Sequence, residues 1–544
     1  MKRCKFLFWN LIIVLPILVS VMGCKKFLDR KPLTATLDDL HQGTLEAQSF
    51  GLYNTLQYAG FSTLPWLDFH SIRDDDAQKG SSLTDGAEIN TEFETFQYTK
   101  DDWAPNTYWN DHYYMINLAN KELYFADSLK ATDPASLRNV GEALFFRAYC
   151  FFDLVRTYGD IPLINFYFTN PKDGIKPKSS QDSIFAQIDR DLEKAIQYLP
   201  QNWEVAGTNI YPGRVTSGAA KTLWAQAYLW RASPGYYHRD ISGYAKVISL
   251  CTQIEGTNEY HLATNFPDIW KDGMGGAGKN GPESIFEEQN YVGPNQTPWK
   301  GTQWGTSQNV RQGGASNVWN LGWGWNTPTQ KLVTDWTNAD STDPRLQQTV
   351  LFSGQYDGGS AAGGYGATLP PYNPGVALDQ PYWNKKVYSD PQMRQWTGQI
   401  FGSGGADWIN HRIFRYADVL LMHAEAANET GDGATAATVL EKIRFRASGN
   451  LDRNSPERTT GVGGKAPIVP YIPFTNQSQM RQAIKNERRW EFAMEGYRFY
   501  DLVRWGDAIS ALSPLGYTNR CRFYPIPQQA INLSGNVLVQ NPEW

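Results

Sequence analysis

Apolar residues recur at three- and four-residue steps through Leu137, Val140, Leu144, Ala148, Phe151 and Val155, which marks one face of an amphipathic helix. The pattern stops at Gly159-Asp160-Ile161-Pro162, a combination that ends helices. A second periodic run over 183–199 predicts an antiparallel partner, and the same helix, turn, helix arrangement returns at 217–232 with 244–254 and at 416–429 with 434–447. Three such pairs predict a solenoid of tetratricopeptide-like units. The Ala-rich "DVLLMHAEAANETGD" suits their close packing, although the spacing is irregular and the consensus Trp-Leu-Gly-Tyr positions are mostly absent. Cys150 and His423 fall on apolar helical faces, where a small buried hydrophobe and a hydrogen-bonded core histidine are expected.

Between the pairs the periodicity disappears. "KDGMGGAGKNGPES" and "FSGQYDGGSAAGGYGATLPPYNPG" are too rich in Gly and Pro for helices, so a loop-rich insertion over about 255–410 is expected. Within it, residues 291–336 carry Trp299, Trp304, Trp319, Trp323, Trp325 and Trp336. Flat indoles suit the apolar faces of sugar rings, and nearby polar side chains suit the hydroxyls; the competing expectation is that about half of these rings pin the loops to the scaffold. Trp304, Trp319 and Trp323 are the ligand-binding candidates among them. Arg73, Asp75 and Asp76 in "SIRDDDAQKGS" are their candidate polar partners. That acidic loop could instead bind Ca²⁺ structurally, without EF-hand spacing, or remain a solvated charge cluster.

The N-terminus changes the picture of location. Lys2, Arg3 and Lys5 precede an apolar run over 6–22 interrupted by Asn10 and Pro16, and Val21-Met22-Gly23-Cys24 has the form of a lipoprotein box. Residues 1–23 are therefore expected to be a secretory signal, with Cys24 lipidated and a chain of 24–544 held to a membrane by acyl groups rather than by a spanning helix. Removing three positive charges takes the net charge from −5 to −8, which argues against nucleic acid as a partner. Beyond Cys4 and Cys24, only Cys150, Cys251 and Cys521 remain, too sparse and odd a set for a disulfide framework.

Known catalytic signatures are missing. Gly273, Gly275 and Gly278 match G-x-G-x-x-G, but no strand precedes them and no helix opens on them. There is no Walker loop, H-E-x-x-H, C-x-x-C or G-x-S-x-G. The stretch "NERRWEFAMEGYRFYDLVRWGD" holds enough carboxylates and arginines to raise the question of an active site. On one helix, however, Glu495, Arg498, Asp501, Arg504 and Asp507 step by three with alternating sign, and Arg488 reaches Glu491. That spacing predicts an ion-pair ladder with a structural role.

Taken together, "CKKFLDRKPLT", "EALFFRAYCFFDLVRTYGDIPL", "ESIFEEQ", "GWGWNTPTQKLVTDW" with "DPRLQQTV", "RYADVLLMHAEAANETGD", the charged stretch above and "FYPIPQQAINLSGNVLVQNPEW" resemble the SusD/RagB family of outer-membrane nutrient-binding lipoproteins of Bacteroidetes. The resemblance spans nearly the whole chain. It implies an all-α fold on tetratricopeptide-like pairs with a loop-rich binding face. It also implies surface exposure on the outer membrane and a TonB-dependent SusC-like transporter as partner, with no cofactor. The implied function is capture of oligosaccharides and their delivery into the transporter, not bond cleavage. Peptide binding on the same scaffold is the alternative, since some relatives act in peptide uptake; glycoside hydrolysis is a remoter one.

Overall fold

A computed structural model describes residues 44–544 apart from 206–207, 210, 273–277, 293–298, 313–318 and 391–407, and the side chains of 205, 208–209, 292 and 299–300. The signal segment, Cys24, Gly273, Gly275 and the Trp299 indole lie outside the described residues. The fold is mainly helical, as the periodicity predicts, with short two-stranded sheets in the connections.

Helices α1 (Leu45–Thr55), α2 (Trp103–Ser128), α3 (Pro134–Tyr158), α4 (Gln181–Tyr198), α5 (Ser217–Ala232), α6 (Gly243–Glu255), α7 (Tyr416–Glu429), α8 (Gly433–Ala447) and α9 (Gln477–Phe492) form the scaffold. From α2 to α8 each packs on the next, and α9 packs on both α7 and α8. The three pairs expected from sequence are all in contact. The contact between α6 and α7 crosses the whole loop-rich segment: the Glu255 carboxylate takes a 2.6 Å contact from His423 Nδ1 and a 2.8 Å bond from Lys442. His423 is thus the satisfied interior histidine that its apolar face suggests.

Local chemistry sets the ends of α3. Asp133 accepts from Ser136 N at 2.9 Å as N-cap, Pro134 opens the helix, and Gly159 ends it at φ 76°. Its burial exceeds the predicted stripe, because residues 141–155 are buried on every side, between α2 and α4 and under α1. The 26-residue α2 was not foreseen. Its face is built from Tyr108, Trp109, His112, Met115 and Asn120 among polar neighbours, so an aliphatic repeat does not reveal it. Cys150, Cys251 and Cys521 are free and buried.

Four strands tie the loops to this scaffold: β1 (Ala77–Gly80), β2 (Ser284–Glu288), β3 (Trp325–Pro328) and β4 (His411–Arg415). β2 pairs antiparallel with β4, which runs directly into α7, so the segment between them leaves and returns at one place. Phe286 and Phe414 of this ladder pack on Phe145 of α3, with ring centroids 5.4 and 6.4 Å away. β1 pairs with β3 and brings the early polar loop beside "GWGWN". Separate apolar clusters anchor the insertion: one stacks Trp336 on Trp490 at 5.0 Å, and another gathers Val310, Trp319, Leu351 and Trp383.

Candidate functional site

The charged C-terminal stretch is not one helix. α9 ends at Phe492, Met494 and Gly496 take positive φ, and a new helix, α10 (Arg498–Trp505), begins. A Cβ on Gly496 would sit 2.5 Å from the Trp66 ring, so glycine is needed there for space as well as for φ. The break corrects the expected ladder: only Asp501 with Arg504, at 2.8 Å, pairs along the helix as predicted. Arg488 reaches Asp418 and Asp501 rather than Glu491, and Arg498 reaches Asp75 rather than Glu495. Glu491 is fully buried against Arg345 (3.0 Å), Arg415 (3.2 Å) and Arg446 (2.6 Å). Glu495 is held by Lys386 and Arg415. These charges cross-link helices, β4 and the loop segment from inside; Glu491 and Glu495 are each met by at least two cations.

The early loop is drawn into the same interior, which corrects the ligand role expected of Arg73, Asp75 and Asp76. All three are buried. Arg73 donates to Phe69 O at 2.8 Å and lies 3.7 Å over the Phe499 ring. Asp75 is bound by Arg498 at 2.8 and 3.1 Å, and Asp76 by Arg489 at 3.0 and 2.5 Å. Burial opposes ionisation of Asp75, yet the hydrogen bond and charge of Arg498, with Arg489 and Lys331, hold it below the usual carboxylate range. A calcium ion at these carboxylates would meet two guanidinium groups, and among the described residues no cluster of His, Cys, Asp and Glu is placed to hold a metal.

The indoles divide. Trp304 is buried, stacked on His411 at 3.9 Å and edge-on to Trp66, so it pins its loop to β4. Trp319 is buried in the Trp383 cluster. Both therefore hold loops down rather than present a face, the packing outcome foreseen for part of the set. Trp323 alone of the three is only partly buried, packed by one side on the main core.

Around Trp323 the β1–β3 ladder assembles a polar surface. Ser81 N donates to Gly324 O at 2.7 Å, so the 81–86 turn lies against "GWGWN". Arg311 Nη1 donates to Asp85 (2.7 Å), Ser81 Oγ (3.0 Å) and the Trp323 carbonyl (3.3 Å), tying the turn to the main chain at Trp323. Gln380 donates to Ser81 O at 3.0 Å and lies beside Gln78. The Asp85 side chain is 41% exposed and Leu83 79%, so this edge faces solvent. Lys79 is spent inward on the carbonyls of Ser82 and Asp85 at 2.7 Å. The result is a partly exposed Trp323 on a surface that also carries a guanidinium, a carboxylate, amides and hydroxyls. That combination offers a ring face for C–H surfaces and directional bonds for hydroxyl groups. Ser81, Asp85, Arg311 and Gln380 carry no sequence signal of their own, because they come from segments up to 299 residues apart.

Fold and face together define a helical-repeat protein that presents a loop-built aromatic and polar surface. The chain belongs to the SusD family: the SusD family model matches residues 282–520, and a second model, described as starch-binding associating with outer membrane, matches residues 26–229. Among curated proteins it is similar to SusD-like protein P2 of Formosa agariphila, 24% identical with 100% of both chains covered. It also resembles a SusD-like protein of Bacteroides ovatus, 23% identical over 76% of this chain and 68% of that one. Among solved structures, a laminarin binding SusD-like protein superposes with TM-score 0.69 at 25% identity, covering 92% of this chain and 99% of that one. A SusD homolog from Bacteroides thetaiotaomicron superposes with TM-score 0.72 at 21% identity, covering 92% and 96%.

Proposed function

We propose that this protein is a cell-surface receptor that binds oligosaccharides and passes them to a SusC-like TonB-dependent transporter, without cleaving them. The observation that carries the reading is the partly exposed Trp323, whose carbonyl accepts from Arg311 of the Arg311–Asp85 pair, on a chain of the SusD family. The family description and the laminarin-binding relative support a glycan as ligand. Saturation of Glu491 and Glu495 by basic groups supports binding over hydrolysis, since neither is left as an acid or a nucleophile. Attachment to the outer membrane through lipidated Cys24 completes the reading.

The test is calorimetry of the mature chain against neutral glycans, laminarin oligosaccharides included, and a peptide panel, with product analysis after long incubation. A glycan binds without release of shorter sugars, and Trp323→Ala weakens it about tenfold, roughly 1.4 kcal/mol, with an unchanged melting temperature. Binding of peptides alone moves the protein to the peptide reading; sugar release defeats the non-catalytic one. Co-purification of the transporter with the tagged protein from native membranes tests delivery, and its absence removes that step.

A further inference from the structure

The best-paired cations of this protein lie inside it. Arg345, Arg415, Arg446, Arg488, Arg489 and Arg504 each meet at least two carboxylates. Arg522 breaks this habit. Its Nε and Nη2 atoms are buried and have no hydrogen-bond partner among the described residues. Burial opposes the charge of Arg345, Arg488 and Arg504, and their carboxylates outweigh it and shift them upward; burial pushes the Arg522 guanidinium down, opposed by Tyr517 and Tyr236. Arg522 as a whole is partly buried, with its guanidinium 5.1 Å over the Phe523 ring, and a cation drawn partly out of water without a counter-charge favours an anion.

Arg522 lines a cleft of about 310 Å³ between the end of α3, the start of α4 and the C-terminal segment. Two more cations line it. Among the described residues Lys178 Nζ donates only to neutral acceptors, Asn541 Oδ1 at 3.0 Å and Gln540 O at 3.3 Å, and burial lowers it too, against the charge of Asp160. Arg520 is exposed, lies 4.2 Å over the Trp544 ring and takes part in no ion pair among the described residues. Asp160 and Glu543 also line the cleft, but Asp160 accepts from Gln181 N at 3.0 Å and neither carboxylate pairs with Arg522. Tyr237, 49% exposed, and Phe523 supply aromatic surface.

From this juxtaposition we infer a second binding site, in which Arg522, Arg520 and Lys178 take the carboxylate or sulfate of a charged sugar unit while the exposed Tyr237 covers its ring. The volume is that of a small-ligand pocket. Guanidinium groups suit planar or tetrahedral oxyanions because their donors form a fork. The anion preference stands on the cations alone; the sugar part rests on the glycan reading of the protein.

The test is calorimetry of the full mature chain at low salt with glucuronate, glucose 6-sulfate, sodium sulfate and glucose. A charged sugar binds, glucose does not, and raising the salt weakens the binding. Arg522→Gln weakens it at least tenfold while the melting temperature stays or rises, because an uncompensated charge has been removed. Arg520→Gln, at an exposed position, weakens it several-fold and keeps the test decisive should the first variant fail to fold. Saturation with the neutral oligosaccharide of the loop face does not compete; competition would merge the two sites and overturn the second. Sulfate binding as tightly as either sugar removes the saccharide part. No binding of any anion, or binding indifferent to both substitutions, overturns the site altogether, and neither result touches the loop-face reading.

Discussion

Replacing Glu491 by Gln tests whether the charged C-terminal stretch holds the fold. Glu491 has no solvent exposure and is contacted by three arginines. Those arginines also bind Asp343, Glu283, Glu487 and Glu495, with Arg444 and Lys386 completing the network. The balance is five carboxylates against five cations, so glutamine leaves one buried positive charge uncompensated. Breaking a buried pair from one side costs about 3–5 kcal/mol. With an unfolding entropy of ~2.1 cal/mol/K per residue over about 500 residues, near 1 kcal/mol/K, the melting temperature falls by about 3–5 °C if the chain melts as a unit.

A pH series adds a second readout. Burial opposes ionisation of Glu491, but Arg446, Arg415, Arg345 and Lys386 hold it well below the usual carboxylate range. Its folded pKa lies below the unfolded value, so its stabilisation is present above about pH 4.5 and is lost as pH falls below that. Calorimetric melts of Glu491→Gln therefore lie below wild type at pH 7 and converge with it in acid. Equal melting temperatures at pH 7, or curves parallel down to pH 3, would refute the reasoning.

Three further outcomes are expected. Trp304→Ala removes a buried ring stacked on His411 and costs about 3–5 kcal/mol in denaturant melts, with glycan affinity retained; a stable variant that no longer binds would return Trp304 to the ligand. Glu92 is pushed up to about 9 by burial and then by its hydrogen bond with Asp102, so its stabilisation is complete below about pH 4.5 and is lost as pH rises towards 9. Glu92→Gln should flatten the alkaline side of the melting curve, and superimposable slopes would exclude this. Cys24→Ala leaves the chain unprocessed or soluble by membrane fractionation, and wild-type partitioning without the transporter would exclude lipidation as the attachment.

Much of the scaffold was legible along the chain, because helix periodicity is local: Leu144, Ala148, Phe151 and Val155 announce α3 whatever surrounds it. The turn chemistry of Gly159 was equally readable. Near-complete burial of α3 was not, since it depends on α1, α2 and α4 arriving from both directions. Nor was the direct packing of α6 on α7, which requires the intervening chain to leave and return through the β2–β4 ladder.

Charge and aromatic patterns were the least decisive. Alternating signs at three-residue steps allow a ladder only while the helix continues, and Met494 and Gly496 end it. Once the chain turns there, the side chains face inward and the partners are chosen by space: Asp75 for Arg498, Arg415 for Glu495. Residue type likewise qualified Trp304, Trp319 and Trp323 equally as sugar platforms. Only the packing of β4, the Trp383 cluster and the β1–β3 ladder decided which were enclosed and which one kept an open side. Sequence set the helices through local propensity and period, while tertiary structure chose the exposed chemistry, because burial is settled by elements distant along the chain.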